Sequence, residues 1–230
     1  SSVAACQLPP AGSALTEAGP PDGEHVYART KAVGEAMVKE YEASFPSTIV
    51  RFAALFSDWC EYPPLFMFFS TWLSEAWNRN LLGGRGESAI PYLHVKDVVA
   101  ALRLVLEKRP GELEPGEVLV LSPDGCTSHR ELFEEATRSY EGEPRRPILM
   151  PRPFCGPGMW ARTIFGRVTG DLPFERPWMA SYIDLKMTID ASRTRGRLGW
   201  APRPRLDVLR RLPFLVENLK TDPLEWNLRN

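Results

Sequence analysis

Glu24-His25-Val26-Tyr27-Ala28-Arg29-Thr30-Lys31-Ala32-Val33-Gly34-Glu35 opens a stretch, residues 24–41, that reads as one helix. Val26, Val33, Met37 and Tyr41 recur at intervals of seven, four and four, an apolar helical stripe. A helix turns about 100° per residue, so Tyr27 and Lys31 share a face one turn apart. A phenol is a poor acid at neutral pH, and a fixed cation beside it favours the phenolate. The pair is suited to passing a proton to or from a carbonyl or hydroxyl oxygen. Tyr and Lys four apart are also common in ordinary helices, so the rest of the chain must decide.

Outward from this helix the sequence alternates. Residues 7–23 hold four prolines and three glycines and form a loop, and residues 1–6 resemble the end of a strand. Residues 47–53, β-branched and bounded by Pro46, predict a short buried strand, as do 90–95 and 117–121. Asp97 is the expected N-cap of a helix over 98–108, and Ser128-His129-Arg130-Glu131 forms a capping box for a helix reaching about Tyr140. This alternation predicts α/β architecture with a parallel sheet. Beyond Pro144 the pattern weakens to one short strand at 148–150 and proline-broken helical pieces. Asp190-Ala191-Ser192 caps a short helix stopped by Gly199 and Pro202, and a last helix covers about 206–219.

Composition narrows the classes. The 230 residues carry 43% hydrophobic and 25% charged side chains with a net charge of −1, ordinary for a globular protein and no lure for nucleic acid or anionic surfaces as a whole. The 22 prolines predict long, shaped loops. Cys6, Cys60, Cys126 and Cys155 form no CxxC pair and no metal-like group with the three histidines, so no metal site is expected. No run approaches the roughly 18 apolar residues of a membrane span, and no signal peptide opens the chain. A cytoplasmic protein is expected.

Ser2 lies 27 − 2 = 25 residues before Tyr27. Ser1-Ser2-Val3-Ala4-Ala5-Cys6, Tyr27-x-x-x-Lys31 with Glu35, Val50-Arg51, Tyr92-Leu93-His94-Val95-Lys96-Asp97-Val98 and the late Asp190-Ala191-Ser192-Arg193…Leu198-Gly199-Trp200-x-Pro202 together resemble the extended short-chain dehydrogenase/reductase family, NAD-dependent epimerase/dehydratase-like. The resemblance implies the C-terminal part of a doubly wound, Rossmann-like parallel sheet with a smaller, mostly helical substrate-binding lobe. It assigns 1–58 and 90–123 to the former and 59–89 and 124–230 to the latter. It further implies that Ser2 bonds the reacting oxygen, that Tyr27 is the general acid/base, and that Lys31 favours the Tyr27 phenolate and binds the nicotinamide ribose of NAD or NADP. The expected partner is a small-molecule substrate, with no nucleic acid and a homodimer as the protein partnership open to it.

Two departures stand out. The family's glycine-rich phosphate loop precedes these landmarks, whereas Gly83-Gly84-Arg85-Gly86 follows no predicted strand and reads as a plain loop. The chain therefore reads as a part of a longer protein that binds dinucleotide poorly by itself. Nucleotide-sugar members usually carry arginine seven residues before the Asp97 equivalent; position 97 − 7 = 90 is Ile90, and Ala53-Ala54 stand where an asparagine is often found. Isoleucine cannot replace arginine's bidentate fork. These changes, with Trp59, Tyr62, Phe66, Phe68, Phe69, Trp72 and Trp77 crowded into 19 residues, favour a more apolar substrate, although an aromatic cluster of this kind is usually core.

The leading expectation is an NAD(P)-dependent oxidoreductase or epimerase-like enzyme. The alternatives are a catalytically inactive nucleotide-sensing or scaffold protein on the same fold, and a nucleotide-sugar epimerase or dehydratase. His94 reads as a strand residue, His129 as exposed in a first helical turn, and His25 as lying on another helix face than Tyr27. Seven arginines between 193 and 211 against Asp207 read as a solvated surface, or else as a basic arm.

Overall fold

The computed structural model describes residues 1–108, 112–170 and 175–230. Residues 109–111, at the end of the helix expected over 98–108, and 171–174 lie outside the described residues. In chain order a 3-10 turn (Val3–Ala5) precedes α1 (Val26–Glu40), β1 (Ile49–Phe52), β2 (Ala54–Phe56), α2 (Pro63–Trp72), β3 (Leu81–Gly83), β4 (Ala89–Ile90), β5 (Tyr92–His94) and α3 (Val95–Glu107). Then come β6 (Val118–Leu121), β7 (Thr127–Ser128), α4 (His129–Glu141), β8 (Ile148–Met150), α5 (Arg152–Thr169), α6 (Ser192–Leu198), α7 (Val208–Thr221) and α8 (Pro223–Arg229). The chain forms two compact units, one of Ser1–Ser57, Ile90–Cys126 and Met187–Val208, the other of Asp58–Ala89, Thr127–Lys186 and Leu209–Asn230.

The first unit is a mixed α/β assembly of parallel strand pairs. β1 lies parallel to β6, with Ile49 opposite Val118 and Phe52 opposite Leu121. Ser2 bridges Phe52 in parallel on the other side of β1. At Ala53 the chain changes partner: the Ala53 amide donates to Leu121, and the Ala54 amide to Pro91, beginning the parallel β2–β5 pair. Strands hydrogen-bonded this way are buried on both faces, which is why their residues are nearly all apolar. One core joins Leu93, Val98, Ala101, Leu119, Leu121, Leu198 and Trp200; another joins Val3, Cys6, Leu15, Val120, Ile189 and Ala191. Trp200 enters the first because Gly199 takes a left-handed φ of 64° and turns the chain back, as the sequence predicts.

The start of α3 differs from expectation. His94, not Asp97, is its N-cap: its Nδ1 accepts the Lys96 amide hydrogen. Asp97 lies in the first turn, buried, and accepts from the Arg203 amide and guanidinium. That pairing is visible only once the chain has folded, because 106 residues separate the partners.

The second unit holds the whole aromatic cluster of 59–77. Leu65, Phe69 and Trp72 of α2 are buried; Phe68 stacks on Trp72 at 4.8 Å between centroids, and Trp72 meets Phe133 edge-on at 5.4 Å. These rings are core, while Trp77 stands exposed. The Ser128 capping box forms as read. His129 is not the exposed residue expected: it packs edge-on against Phe68 at 4.6 Å, and burial pulls its pKa down to about 4. The proline-broken pieces after β8 are instead one 18-residue helix, α5, which takes Pro153 in its first turn and carries Pro157 inside. The terminal helix α8, capped by Asp222, is not foreseen in the sequence.

Candidate active site

The elements that carry the predicted residues meet in the first unit: the 3-10 turn that follows Ser2 packs against α1, which carries Tyr27 and Lys31. Gly23 makes that approach close. Its amide donates to the Ala5 carbonyl at 2.8 Å, and a Cβ there would lie 2.6 Å from the Ala28 Cβ and 2.9 Å from the Ala5 oxygen. His25 then caps α1, its Nδ1 accepting from the Ala28 amide at 3.2 Å. The imidazole also hydrogen-bonds the Ala4 backbone, and burial, outweighing that bond, holds its pKa below the ordinary histidine value. His25 thus links the turn that follows Ser2 to the helix that carries Tyr27. Histidine is not among the preferred capping residues, so the sequence does not display this role.

Ser2 caps the 3-10 turn: its Oγ accepts the Ala4 amide at 3.2 Å and donates to the Phe52 carbonyl at a long 3.4 Å. The second bond is weak enough for a better acceptor to replace. On α1 the Lys31 ammonium sits 5.3 Å from the centre of the Tyr27 ring, and Tyr27 is 50% exposed. The His25 ring lies parallel to that of Tyr27, with centroids 6.2 Å apart.

What anchors α1 is not its apolar stripe. Val26, Val33, Met37 and Tyr41 all face outward, and the buried positions are Ala28 and Glu35. Glu35, 3% exposed, receives a two-pronged contact from Arg51 of β1, itself 2% exposed: Nε to Oε1 at 2.8 Å and the second guanidinium nitrogen to Oε2 at 2.7 Å. Arg51 also donates to the Gly19 carbonyl at 2.6 Å, and the Ser1 hydroxyl donates to Glu35 at 2.6 Å. Burial alone would raise the Glu35 pKa, but the hydrogen bonds from Arg51 and Ser1 outweigh it and hold the carboxyl below its usual range. A planar fork matched to a carboxylate is the geometry in which buried charges are tolerated.

Two other sequence features resolve differently. The glycine-rich loop does follow a strand, the short β3, yet it is no phosphate cradle. The amides of Arg85 and Glu87 both point at Asp184 Oδ1, at 2.8 and 3.2 Å, so the anion it holds is the chain's own carboxylate. A side chain at Gly84 would strike that carboxylate at 2.3 Å. The arginines of 193–211 are largely committed to acids: Arg193 and Arg197 to Glu117, Arg195 to Asp124, Arg203 to Asp97 and Arg211 to Asp58. Among the described residues no group of three or more His, Cys, Asp or Glu is placed to hold a metal.

The likeness to solved structures is clear in fold and distant in sequence. The structure of gox2253 superposes with a TM-score of 0.69 at 20% identity, covering 96% of this chain and 64% of that one. The dTDP-glucose 4,6-dehydratase from Bacillus anthracis str. Ames in complex with NAD gives 0.65 at 16% identity, with 99% and 62% covered. RMD from Pseudomonas aeruginosa complexed with NADPH gives 0.66 at 14%, with 96% and 65% covered. This chain therefore spans less than two thirds of the length of each. No curated protein sequence matches it. The family model for the NAD dependent epimerase/dehydratase family matches residues 1–120, more than half of the 230, and includes Ser2, Tyr27, Lys31, Glu35 and Arg51. By that match, and with a Rossmann-like fold to support it, the chain belongs to the NAD dependent epimerase/dehydratase family.

Proposed function

We propose that the chain is the catalytic and substrate-binding part of an NAD(P)-dependent oxidoreductase or epimerase acting on a carbonyl or secondary alcohol of a relatively apolar small molecule. The observation that carries this reading is the half-exposed Tyr27 phenol with the Lys31 ammonium one helical turn away, on a helix locked to β1 by Glu35 and Arg51. The Tyr27 hydroxyl gives a proton to, or takes one from, the reacting oxygen. Lys31 stabilises negative charge as it develops on the phenol oxygen. Ser2 turns its hydroxyl from the distant Phe52 carbonyl to the same substrate oxygen.

The described residues fit one end of a dinucleotide. Lys31 and Tyr27, on the open side of α1, offer donors for the nicotinamide ribose hydroxyls, while the glycine-rich loop is taken by Asp184 and offers nothing to a pyrophosphate. The bound cofactor supplies or accepts the hydride. Ile90 and the Ala53-Ala54 pair support an apolar substrate. The likeness to a dTDP-glucose 4,6-dehydratase supports a second reading, a nucleotide-sugar epimerase or dehydratase, which tight binding of a dTDP- or UDP-sugar would favour.

Cofactor turnover by the intact protein tests the main reading against Tyr27→Phe. Loss of the acid/base hydroxyl should lower kcat by roughly 10²–10⁴. A rate within a factor of about three of the parent removes Tyr27 from the chemistry, since acid/base groups contribute far more than that. Tight cofactor binding with no hydride transfer to any carbonyl would point instead to a sensing or scaffold role.

A further inference from the structure

The loop that joins β2 to α2 carries backbone strain. Pro63 and Pro64 open α2, and the residue before a proline is kept out of the helical region, so Tyr62 is extended with φ −129° and ψ 106°. The tight turn of the loop falls instead on Cys60 and Glu61, which take left-handed φ values of 74° and 51°. The Glu61 amide donates to the Trp59 carbonyl, two residues back, at 3.1 Å. With φ 74° at the residue between them, that bond closes the rare left-handed form of the γ-turn. Glycine would take such a turn without steric penalty, and neither position has it. Successive non-glycine residues persist in this state only where their surroundings impose it.

The imposing groups lie at the end of α8 and just beyond it. Asn230 grips the turn from both sides: its Oδ1 accepts the Glu61 amide at 2.7 Å, and its Nδ2 donates to the Trp59 carbonyl at 2.8 Å. The same Nδ2 donates to the Trp226 carbonyl at 2.9 Å. Trp226 is 1% exposed, with its ring among those of Phe66 and Phe69 of α2, so the grip is anchored in the core of this unit. Arg229 pairs with Glu61 at 2.9 Å and lies over the Trp59 ring, 5.2 Å from its centre. Arg211 and Asn218 of α7 hold Asp58, each at 2.8 Å, but Asp58 lies outside the left-handed pair. Cys60 is fully buried, and burial pushes its thiol up to about 12. The thiolate is the reactive form, so Cys60 reacts only when the turn opens.

We propose that Arg229 and Asn230 form a latch on residues 59–61. Latched, the γ-turn holds and Cys60 stays buried; released, the turn relaxes out of the left-handed region and the loop opens. The loop leaves β2 at its carboxyl end, the end at which parallel α/β sheets present their ligands, so the latch sets the shape of a segment placed for ligand contact. This goes beyond the catalytic reading and does not depend on it.

Thiol labelling of the intact protein with N-ethylmaleimide at pH 8 tests it, each cysteine being followed by peptide mass spectrometry, with deuterium exchange at the Glu61 amide as a second readout. Cys60 should label far more slowly than the partly exposed Cys126. Asn230→Ala removes three hydrogen bonds, each worth a net factor of about five, and should raise Cys60 labelling and Glu61 exchange tenfold or more. Arg229→Gln should raise both by about two- to fivefold, the range of an exposed ion pair. Cys6 and Cys155, both buried, should keep their parent rates in both variants, which shows that the opening is local. Arg229 and Asn230 are exposed, so circular dichroism should show both variants folded. Cys60 labelling in Asn230→Ala within a factor of two of the parent overturns the latch. So does a rise shared equally by Cys6 and Cys155, or a parent Cys60 that labels as fast as Cys126.

Discussion

The Glu35–Arg51 contact can be broken from one side. Glu35→Ala leaves a guanidinium only 2% exposed with a single described acceptor, the Gly19 carbonyl, after losing bonds of 2.8 and 2.7 Å. Removing one member of a buried pair costs about 3–5 kcal/mol, because the other charge stays behind unpaired. Against a typical total of about 5–15 kcal/mol, that is enough to shift a urea midpoint by a large fraction. The double change Glu35→Leu with Arg51→Met removes both charges at similar volume and should cost little or nothing by comparison. Because hydrogen bonds hold the Glu35 pKa below the 4.5 of an unperturbed glutamate, its contribution is complete above pH 4.5 and disappears as the pH falls through the lower, folded value. Urea unfolding from neutral pH down through that window should therefore show an acid loss in the parent that Glu35→Gln lacks. A Glu35→Ala cost below about 1 kcal/mol would refute the reasoning, as would a double variant as unstable as the single one.

Two further outcomes follow from the histidines. His25→Ala should cost about 1 kcal/mol through loss of the cap. His25→Asn restores the cap without the link to Ala4, so its melting temperature should recover while kcat stays reduced at unchanged KM; a full recovery of kcat would show that His25 only caps. His129, with a folded pKa of about 4 against 6.5 unfolded, contributes stability that is complete above pH 6.5 and declines as the pH falls toward 4. The parent should be about 2 kcal/mol less stable at pH 5 than at pH 7 from this group, and His129→Gln should lose that slope; an equal slope in both would place the pH dependence elsewhere.

Several elements were legible because their signals are local. The Ser128 capping box, the left-handed stop at Gly199 and the strand 118–121 involve residues within one turn or one strand of each other, so the sequence displays them whole. The pairing of Tyr27 with Lys31 is of the same kind, because helical spacing alone brings them together. α5 is not legible as one helix because its prolines sit where a helix tolerates them, one in the first turn and one accommodated inside, and proline content by itself does not give position.

By itself, then, the sequence determined the α/β alternation, the order of the landmarks and the spacing of Ser2, Tyr27 and Lys31. Only the tertiary structure decided which face of each helix is buried. The apolar stripe of α1 points outward, and the charged Glu35 points in, because Arg51 arrives on β1 with a fork that satisfies it. The glycine-rich loop closes on Asp184, nearly a hundred residues away in the chain, rather than on a phosphate. A periodic pattern tells which residues share a face. What that face meets depends on partners brought together by folding, and for α1 those partners set the position of Tyr27 and Lys31.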